Sequence, residues 1–221
     1  MDTPIIQKVN VFFKQFKHLI YKKGEVIIQA YDDPPGIFYL QSGMVKQYAI
    51  SKKGDEIVLN TYKQNTFFPM NWAINKSHNS YFWEATSDVE VWKAPAEETA
   101  IFINDNPDVM YDLLSRVYKG TDGLLLRMTY LMSGDAYTRL VTEIIIQAKR
   151  FGRCRSAAFS SDNIDGSQYE VDIAEKDLAT RTGMTRETIS REMKKLKDKG
   201  LVTFNKKILI IYNLDKLEDE L

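Results

Sequence analysis

Four polar side chains near the C-terminus of the chain share one helical spacing. At positions i, i+3, i+4 and i+7 stand Glu187, Ser190, Arg191 and Lys194, and Arg186 precedes the first of them. Side chains at this spacing lie on one face of an α-helix. A guanidinium can donate two parallel hydrogen bonds to guanine, and a carboxylate can accept one from cytosine. The pattern therefore predicts a mostly cationic helical face that can contact base pairs in a major groove.

The elements that must position this face are two short helices joined by a tight turn within residues 177–200. Leu178 and Ala179 suit the buried side of the first helix, and Gly183 supplies a turn residue that tolerates positive φ. Thr185 is the predicted N-cap of the second helix. That helix also carries an apolar stripe at helical spacing, which would anchor it: Ile189, Met193 and Leu196.

The sequence that follows alternates into two apolar runs, LVTF and ILIIY, around the basic tip Asn205-Lys206-Lys207. This pattern predicts a β-hairpin, and a hairpin after two such helices makes a winged helix-turn-helix. Lys206 and Lys207, with Thr185 and Lys194, would contact backbone phosphate, which adds affinity but little sequence choice. The alternative is an ordinary amphipathic surface helix whose charged side is merely solvated.

Charge is divided unevenly along a chain whose net charge is zero. Residues 176–207 carry ten Lys or Arg against four Asp or Glu, a local net charge of +6, so the remainder carries −6. This division is typical of a sensor joined to a nucleic-acid-binding module. The length of 221 residues allows one large domain or two modest ones, and the hydrophobic fraction of 44% can furnish a core.

Several classes of site lack the necessary side chains. Cys154 is the only cysteine, which excludes an intrachain disulfide and a four-cysteine iron–sulfur cluster. His18 and His78 are too few for a cupin-like metal site, and no nucleophile–base pair stands out. We therefore expect no metal, no cofactor and no catalytic residue. No apolar run approaches eighteen residues, so we expect no membrane span and a cytoplasmic protein.

The N-terminal half is predicted to be a β domain. Residues 1 to about 20 have mixed helical periodicity and suggest a helical entry. Short apolar runs then follow at intervals of about ten residues, an arrangement typical of an all-β sandwich or roll. The runs are GEVIIQA, IFYLQSG, MVKQYAIS, IVLNTY and NTFF, with a last strand at Val89 to Trp92.

A long helix is predicted from Asn106 to Met132, with Pro107 in its first turn. Its apolar positions alternate at spacings of four and three, as in a coiled-coil seam: Met110, Leu114, Val117, Thr121, Leu124, Met128 and Leu131. Gly120 and Gly123 would permit close approach of a partner backbone. The seam would form a parallel homodimer or, alternatively, pack on the β domain alone.

Residues 133–135 (Ser-Gly-Asp) break that helix and are the predicted hinge. A helix is expected from Ala136 to Phe151, and a polar loop around one short strand (AAFS) from 152 to 167. A strand follows from Tyr169 to Ile173, and the tail LDKLEDEL should be a short helix or a frayed end.

The run TRETISR resembles the recognition helix of the CRP/FNR transcription regulators, whose pattern Glu-x-x-Ser-Arg falls on Glu187, Ser190 and Arg191. Arg186 matches the CRP-like branch. The run from Gly24 to residue 54 is similar to the β-roll of cyclic-nucleotide-binding domains, through GEVI, IFYLQSG and GDE.

The resemblance implies an α+β fold with three parts. These are an N-terminal double-stranded, jelly-roll-like β-roll as sensor (1–104), a long dimerisation helix (105–133) and a C-terminal winged helix-turn-helix domain (134–221). It also implies a homodimer through residues 106–132, double-stranded DNA with an inverted-repeat operator, and RNA polymerase as a partner. Recognition helices of such a dimer enter major grooves about 34 Å apart.

The resemblance fails at the family's ligand site. Pro69-Met70 or Met70-Asn71 stands where cyclic-nucleotide binders carry Gly-Glu, and Asn79-Ser80 stands where their arginine would be. Lys76 is the only positive residue from 66 to 86. A buried phosphate without a charged partner is costly, so we expect an effector other than cyclic AMP.

Aromatic residues replace those polar groups: Phe67, Phe68, Trp72, Tyr81, Phe82 and Trp83. They would fill the core of the roll, as most aromatic residues do. Alternatively, Trp72, Tyr81 and Trp83 would line a pocket for an apolar or aromatic effector, with Arg127 and Tyr130 of the long helix as further contacts.

Two other classes of function compete with DNA-dependent regulation. One is a ligand-sensing module that acts through protein contacts. The other is an enzyme on a jelly-roll scaffold, which lacks the groups that catalysis would require.

Overall fold

The computed structural model describes residues 2–155 and 168–221. The chain divides into two compact units between Tyr118 and Lys119, within one long helix. The domain boundaries predicted at 104/105 and 133/134 divide the chain by function rather than by compactness, and they stay predictions. The predicted strand AAFS, at 157–160, lies outside the described residues.

The elements of the N-terminal unit are α1 (Thr3–Phe13), β1 (Lys17–Tyr21), β2 (Val26–Ile28), β3 (Ile37–Ser42), β4 (Met44–Ile50), β5 (Glu56–Lys63), β6 (Thr66–Phe68), α2 (Met70–Asn75), β7 (Phe82–Ala85), β8 (Val89–Ala94) and α3 (Ala96–Asp105). The strands form two four-stranded antiparallel sheets, in the orders β1-β8-β3-β6 and β2-β7-β4-β5. This confirms the predicted double-stranded β-roll.

Strand β3 separates two hydrophobic clusters of this unit, because alternate side chains of a strand point to opposite faces. Phe38 and Leu40 belong to a cluster between the two sheets, which we call the inner cluster. Ile37 and Tyr39 belong to a second one formed with α1 and α3, which we call the helix-side cluster. All four side chains are buried, so β3 is covered on both faces.

Four elements of this unit differ from the sequence-based expectation. Strand β7 was not among the predicted strands. The helical entry ends at Phe13, and β1 follows, paired with β8 along its whole length from Lys17–Lys93 to Tyr21–Val89. Helices α2 and α3 were not predicted. Helix α3 has Glu97 and Glu98 in its first turn, where carboxylates suit the helix dipole.

The predicted long helix is confirmed as α4 (Pro107–Ser133). Six apolar residues of the predicted seam are 40–60% exposed in the single chain. We call them the α4 stripe, and they are Met110, Leu114, Val117, Leu124, Met128 and Leu131. The two interpretations of this seam, a parallel homodimer and packing on the β domain alone, stay predictions.

After α4, the C-terminal unit contains α5 (Ala136–Phe151), β9 (Arg153–Arg155), β10 (Gln168–Asp172), α6 (Glu175–Thr182), α7 (Arg186–Asp198), β11 (Val202–Asn205), β12 (Ile208–Ile211) and α8 (Leu214–Glu218). Its helices pack on one four-stranded sheet of order β11-β12-β10-β9. The predicted helix at 136–151 and the strand near 169–173 are confirmed, while β9 was not expected. The acidic tail is helical because Leu214 and Leu217 dock into the core.

The α4–α5 junction is tightly constrained. A Cβ on Gly134 would stand 2.3 Å from Thr138 Oγ1 and 2.7 Å from the Tyr130 carbonyl oxygen, so a side chain there would collide with α5 or α4. Asp135 caps α5, accepting a 2.9 Å hydrogen bond from the backbone N–H of Thr138.

Candidate DNA-binding surface

The helix-turn-helix is formed by local hydrogen bonds that the sequence specifies. The Asp177 carboxylate accepts from the Ala174 N–H at 3.1 Å, at the start of α6. Gly183 ends α6 in the left-handed region, with φ +66°. Thr185 then caps α7, its hydroxyl oxygen accepting from the Thr188 N–H at 3.2 Å. The predicted turn and N-cap are confirmed.

One side of α7 is anchored in the core of the C-terminal unit. Ile189, Met193 and Leu196 are fully buried, in the same cluster as Leu178 of α6 and Leu140 of α5. Three anchors over two helical turns hold both the position and the rotation of α7 about its axis. The predicted apolar stripe is confirmed.

The other side of α7 is open to solvent. Arg186, Glu187, Ser190, Arg191 and Lys194, together with the N-cap Thr185, are all exposed. We call these six residues the α7 face. The structure thus brings together the side chains that the sequence pattern grouped, while their contact with DNA stays a prediction.

The wing is the hairpin of β11 and β12, with a tip shorter than expected. Asn205 pairs with Ile208, so the turn has two residues, Lys206 and Lys207, rather than three. Both lysines are exposed, and Lys206 has φ +57°. The Lys207 carbonyl oxygen accepts from the Ile173 N–H at 3.1 Å, which fixes the tip against the residue that follows β10.

Sequence reasoning missed Glu192, which is only 3% exposed. Its carboxylate accepts from Arg191 Nε at 2.9 Å and lies 2.5 Å from Lys195 Nζ. Hydrogen bonds from Lys195 and then Arg191 hold the pKa of this carboxyl below its usual range. One feature could have revealed it: Glu192 is three residues after Ile189, on the apolar stripe, so helical geometry directs it inward.

The aromatic residues proposed for an effector pocket do not form one group. Trp83 is 1% exposed in the inner cluster, with the Tyr81 ring 6.3 Å away, edge to face. Trp72 packs instead against the helix-side cluster. Phe68 and Phe67 divide between the same two clusters. The packing interpretation accounts for Trp83 and Phe68; an effector contact by Trp72 or Tyr81 stays a prediction.

Arg127, the other proposed effector contact, has a partner in its own unit. Its Nε donates to Glu143 Oε2 at 2.8 Å and its Nη2 to Glu143 Oε1 at 3.1 Å. Gln147 also donates to Glu143, at 2.7 Å. Glu143 is 2% exposed, so Arg127 neutralises a buried charge. Tyr130, one turn later on α4, is half-buried.

The segment that would hold a cyclic nucleotide is built differently here. After a cis peptide bond between Phe68 and Pro69, residues Met70–Asn75 form α2. Lys76, which ends α2, is exposed. In the parts of the chain that the structure describes, no three His, Cys, Asp or Glu side chains cluster closely enough to hold a metal ion.

Comparison with known proteins decides the family. A model of the cyclic nucleotide-binding domain matches residues 18–106, and a model of the Crp-like helix-turn-helix domain matches residues 139–220. The chain belongs to the CRP/FNR family of transcription regulators. Members of this family bind DNA and act as dimers.

Curated relatives and a solved structure agree with that assignment. The CRP/FNR chain is 26% identical to the fumarate and nitrate reduction regulatory protein of Salmonella typhi over 199 residues, 89% of this chain and 75% of the relative. It is 23% identical to the global nitrogen regulator of Nostoc sp. over 195 residues, 87% and 83% of the two chains. A CooA double mutant from Carboxydothermus hydrogenoformans has the same fold, with a TM-score of 0.79 at 19% identity, covering 100% of this chain and 96% of CooA.

Helix α4, at 27 residues, is the longest helix in the described parts of this CRP/FNR regulator. Neither α4 nor any other helix within residues 2–155 and 168–221 is both long and apolar enough to cross a bilayer.

Proposed function

We propose that this CRP/FNR regulator binds an inverted-repeat operator as a homodimer through the α7 face, under the control of an effector other than cyclic AMP. The observation that carries the proposal is the division of α7 into two sides. Ile189, Met193 and Leu196 have no exposed surface, whereas every side chain of the α7 face is exposed. A helix anchored in this way presents its polar side chains in a fixed direction.

The roles within this surface follow from hydrogen-bonding chemistry. Arg186 and Arg191 can each donate two hydrogen bonds to guanine O6 and N7, and Glu187 can accept from a cytosine amino group. Ser190 can bond to a base edge or to phosphate. Four other groups would contact phosphate and supply affinity without base choice: Thr185, Lys194, Lys206 and Lys207.

The dimer would form through residues 106–132, with the α4 stripe of two parallel copies in contact. Six large apolar side chains exposed along about three heptads of one helix support this surface. A parallel twofold arrangement would present two α7 helices to successive major grooves. We also propose contact with RNA polymerase and a cytoplasmic location, which the family assignment supports.

The effector is not expected to be cyclic AMP because residues 66–86 contain no buried cation. Lys76 is the only Lys or Arg there and it is exposed, while Trp83 fills space in the inner cluster. A sequestered phosphate would have no partner in this segment.

Selection of bound sequences from random duplexes, with the full chain, tests the proposal. The expected result is an inverted repeat with half-sites about one helical turn apart, bound with a steep salt dependence. Binding that is absent even at low salt would favour the rival function, a ligand-sensing module that acts through protein contacts.

Arg191→Ala provides the residue-level test. It should weaken operator binding by about 1–3 kcal/mol and relax the preference at one base pair. The matched control is Lys194→Ala, which should weaken binding to all sequences alike. Equal losses on operator and random duplexes for Arg191→Ala would contradict base readout by this residue.

A further inference from the structure

Glu192 is a carboxylate on the buried side of α7. It is 3% exposed and belongs to the i, i+3, i+4, i+7 series whose other members are Ile189, Met193 and Leu196. Burial of a carboxylate is unfavourable unless cations and hydrogen bonds compensate for its lost hydration. An apolar residue would suit this position equally well for packing, so the charge requires another explanation.

The two carboxylate oxygens are each engaged by a cation from the solvent side of α7. Oε1 accepts from Arg191 Nε at 2.9 Å, and Oε2 lies 2.5 Å from Lys195 Nζ. The side chain of Arg191 is 66% exposed and that of Lys195 is 55% exposed, against 4% for Glu192. The buried Glu192 carboxylate therefore restrains the side chains of Arg191 and Lys195, which are otherwise mostly exposed to solvent.

The atom of Arg191 that is engaged matters for its chemistry. A guanidinium has five N–H donors in a planar fork. The bond to Glu192 uses the Nε–H and leaves the four N–H groups of Nη1 and Nη2. Guanine recognition needs two parallel donors for O6 and N7, and the two terminal nitrogens can supply them while Nε stays bonded to Glu192.

We propose that Glu192 is a positioning residue for base readout: it holds the Arg191 guanidinium by its Nε–H so that the terminal nitrogens are directed toward the duplex. The inference rests on the proposed function of the α7 face. Arg186 provides an internal contrast, because its side chain makes no hydrogen bond or ion pair with any residue that the structure describes. The two arginines of the α7 face therefore differ: Arg191 is held before DNA binds, and Arg186 has to be ordered by binding.

A restrained side chain loses less conformational freedom on binding and tolerates less misalignment. The base pair contacted by Arg191 should therefore be discriminated more sharply than that contacted by Arg186. Without Glu192, discrimination at the Arg191 position should fall by about threefold to tenfold, the factor that corresponds to ordering one long side chain.

The test uses the full chain, the duplex obtained by selection, and a set of duplexes that each change one base pair. Arg191→Ala and Arg186→Ala first identify the position that each arginine reads. Glu192→Leu should then lose discrimination at the Arg191 position and keep it at the Arg186 position. Its melting temperature should not fall, because the buried charge itself is removed and the two cations left behind, Arg191 and Lys195, are 66% and 55% exposed and keep their hydration.

The matched control is Glu143→Leu, which removes another buried carboxylate paired with an arginine in the same unit. It should lower the melting temperature, because Arg127, whose side chain is only 19% exposed, is left without its counter-ion. Discrimination should stay unchanged at both positions. If Glu192→Leu does not fold, Glu192→Gln replaces it. That variant exchanges a charge-assisted bond for a neutral one, so about a twofold loss at the Arg191 position is expected.

The outcomes separate the two proposals. If selection with the wild-type protein yields no bound sequence, the proposed function itself is refuted. A selected operator whose Arg191 position is discriminated equally well by wild type and by Glu192→Leu overturns the positioning role and leaves the proposed function standing. The positioning role is likewise overturned if discrimination falls at every position, or if Glu143→Leu reproduces the loss.

Discussion

Replacing Arg127 by alanine should destabilise the C-terminal unit, because it leaves the Glu143 carboxylate buried without its counter-ion. Glu143 is 2% exposed and accepts two hydrogen bonds from Arg127, at 2.8 and 3.1 Å. In the Arg127→Ala protein only the 2.7 Å bond from Gln147 would remain of these three. A neutral amide cannot compensate for the lost hydration of a carboxylate as a guanidinium does.

Breaking a buried ion pair by removing one partner costs about 3–5 kcal/mol. The Arg127 side chain is 19% exposed, so some water reaches the pair and we expect the lower end, about 3 kcal/mol. A domain of about 100 residues loses about 4–8 °C in melting temperature per kcal/mol, so the unit should melt at least about 12 °C lower. Replacing both partners, in Arg127→Met with Glu143→Leu, should recover most of this loss.

The distribution of tryptophan allows the two units to be followed separately. Trp72, Trp83 and Trp92 all lie in the N-terminal unit. Tryptophan fluorescence therefore reports unfolding of the β-roll, and circular dichroism at 222 nm reports the helices, most of which are in the other unit. At constant protein concentration, Arg127→Ala should lower the midpoint temperature of the transition seen by circular dichroism. The midpoint of the transition seen by fluorescence should stay unchanged.

Two results would refute this reasoning. If Arg127→Ala melts within about 2 °C of wild type, well inside the expected fall, the carboxylate does not depend on Arg127. If the double replacement is no more stable than Arg127→Ala, the loss comes from packing of the arginine stem rather than from an uncompensated charge.

Two further predictions concern α4 and the start of α5. Leu124 is 54% exposed in the single chain, so Leu124→Lys should leave each subunit folded. It should weaken the dimer at least about tenfold in sedimentation experiments, because each copy loses apolar burial of about 1.5–3 kcal/mol. The control Lys119→Glu, outside the α4 stripe, should not weaken the dimer. Asp135→Ala should cost about 1 kcal/mol through loss of the N-cap. The Thr138 N–H holds the pKa of Asp135 below its ordinary 3.8, so wild type should keep its advantage over this variant above about pH 4 and lose it as the pH falls further; an advantage that persists at pH 2 in urea titrations would contradict this.

Local features of the sequence were sufficient for the helix-turn-helix. Gly183, the cap Thr185 and the buried positions of α7 are each specified within one or two turns of chain. The rotation of α7, and with it the exposed α7 face, follows from helical periodicity alone. The long helix was predictable for the same reason.

Elements that depend on distant partners were not predictable. The run KHLIY forms β1 because it pairs with β8, more than seventy residues later. The sequence analysis missed Glu192 because a glutamate suggests an exposed position, although its spacing from Ile189 places it on the apolar side of α7. Arg127 was only a candidate effector contact, because its partner Glu143 lies 16 residues later on a different helix. Such a pairing depends on how α4 and α5 pack.

The Arg127–Glu143 contact spans the Gly134 junction and so determines where this regulator could be cut and rejoined. A chimera that joined a foreign sensor at residues 133/134 would remove Arg127, the cation that pairs with Glu143. The transplanted winged domain would then contain a buried carboxylate without a counter-ion. A splice point before Arg127 would keep the last two turns of α4 with α5. The portable module is therefore longer than the winged domain, and it includes the end of the helix that precedes it.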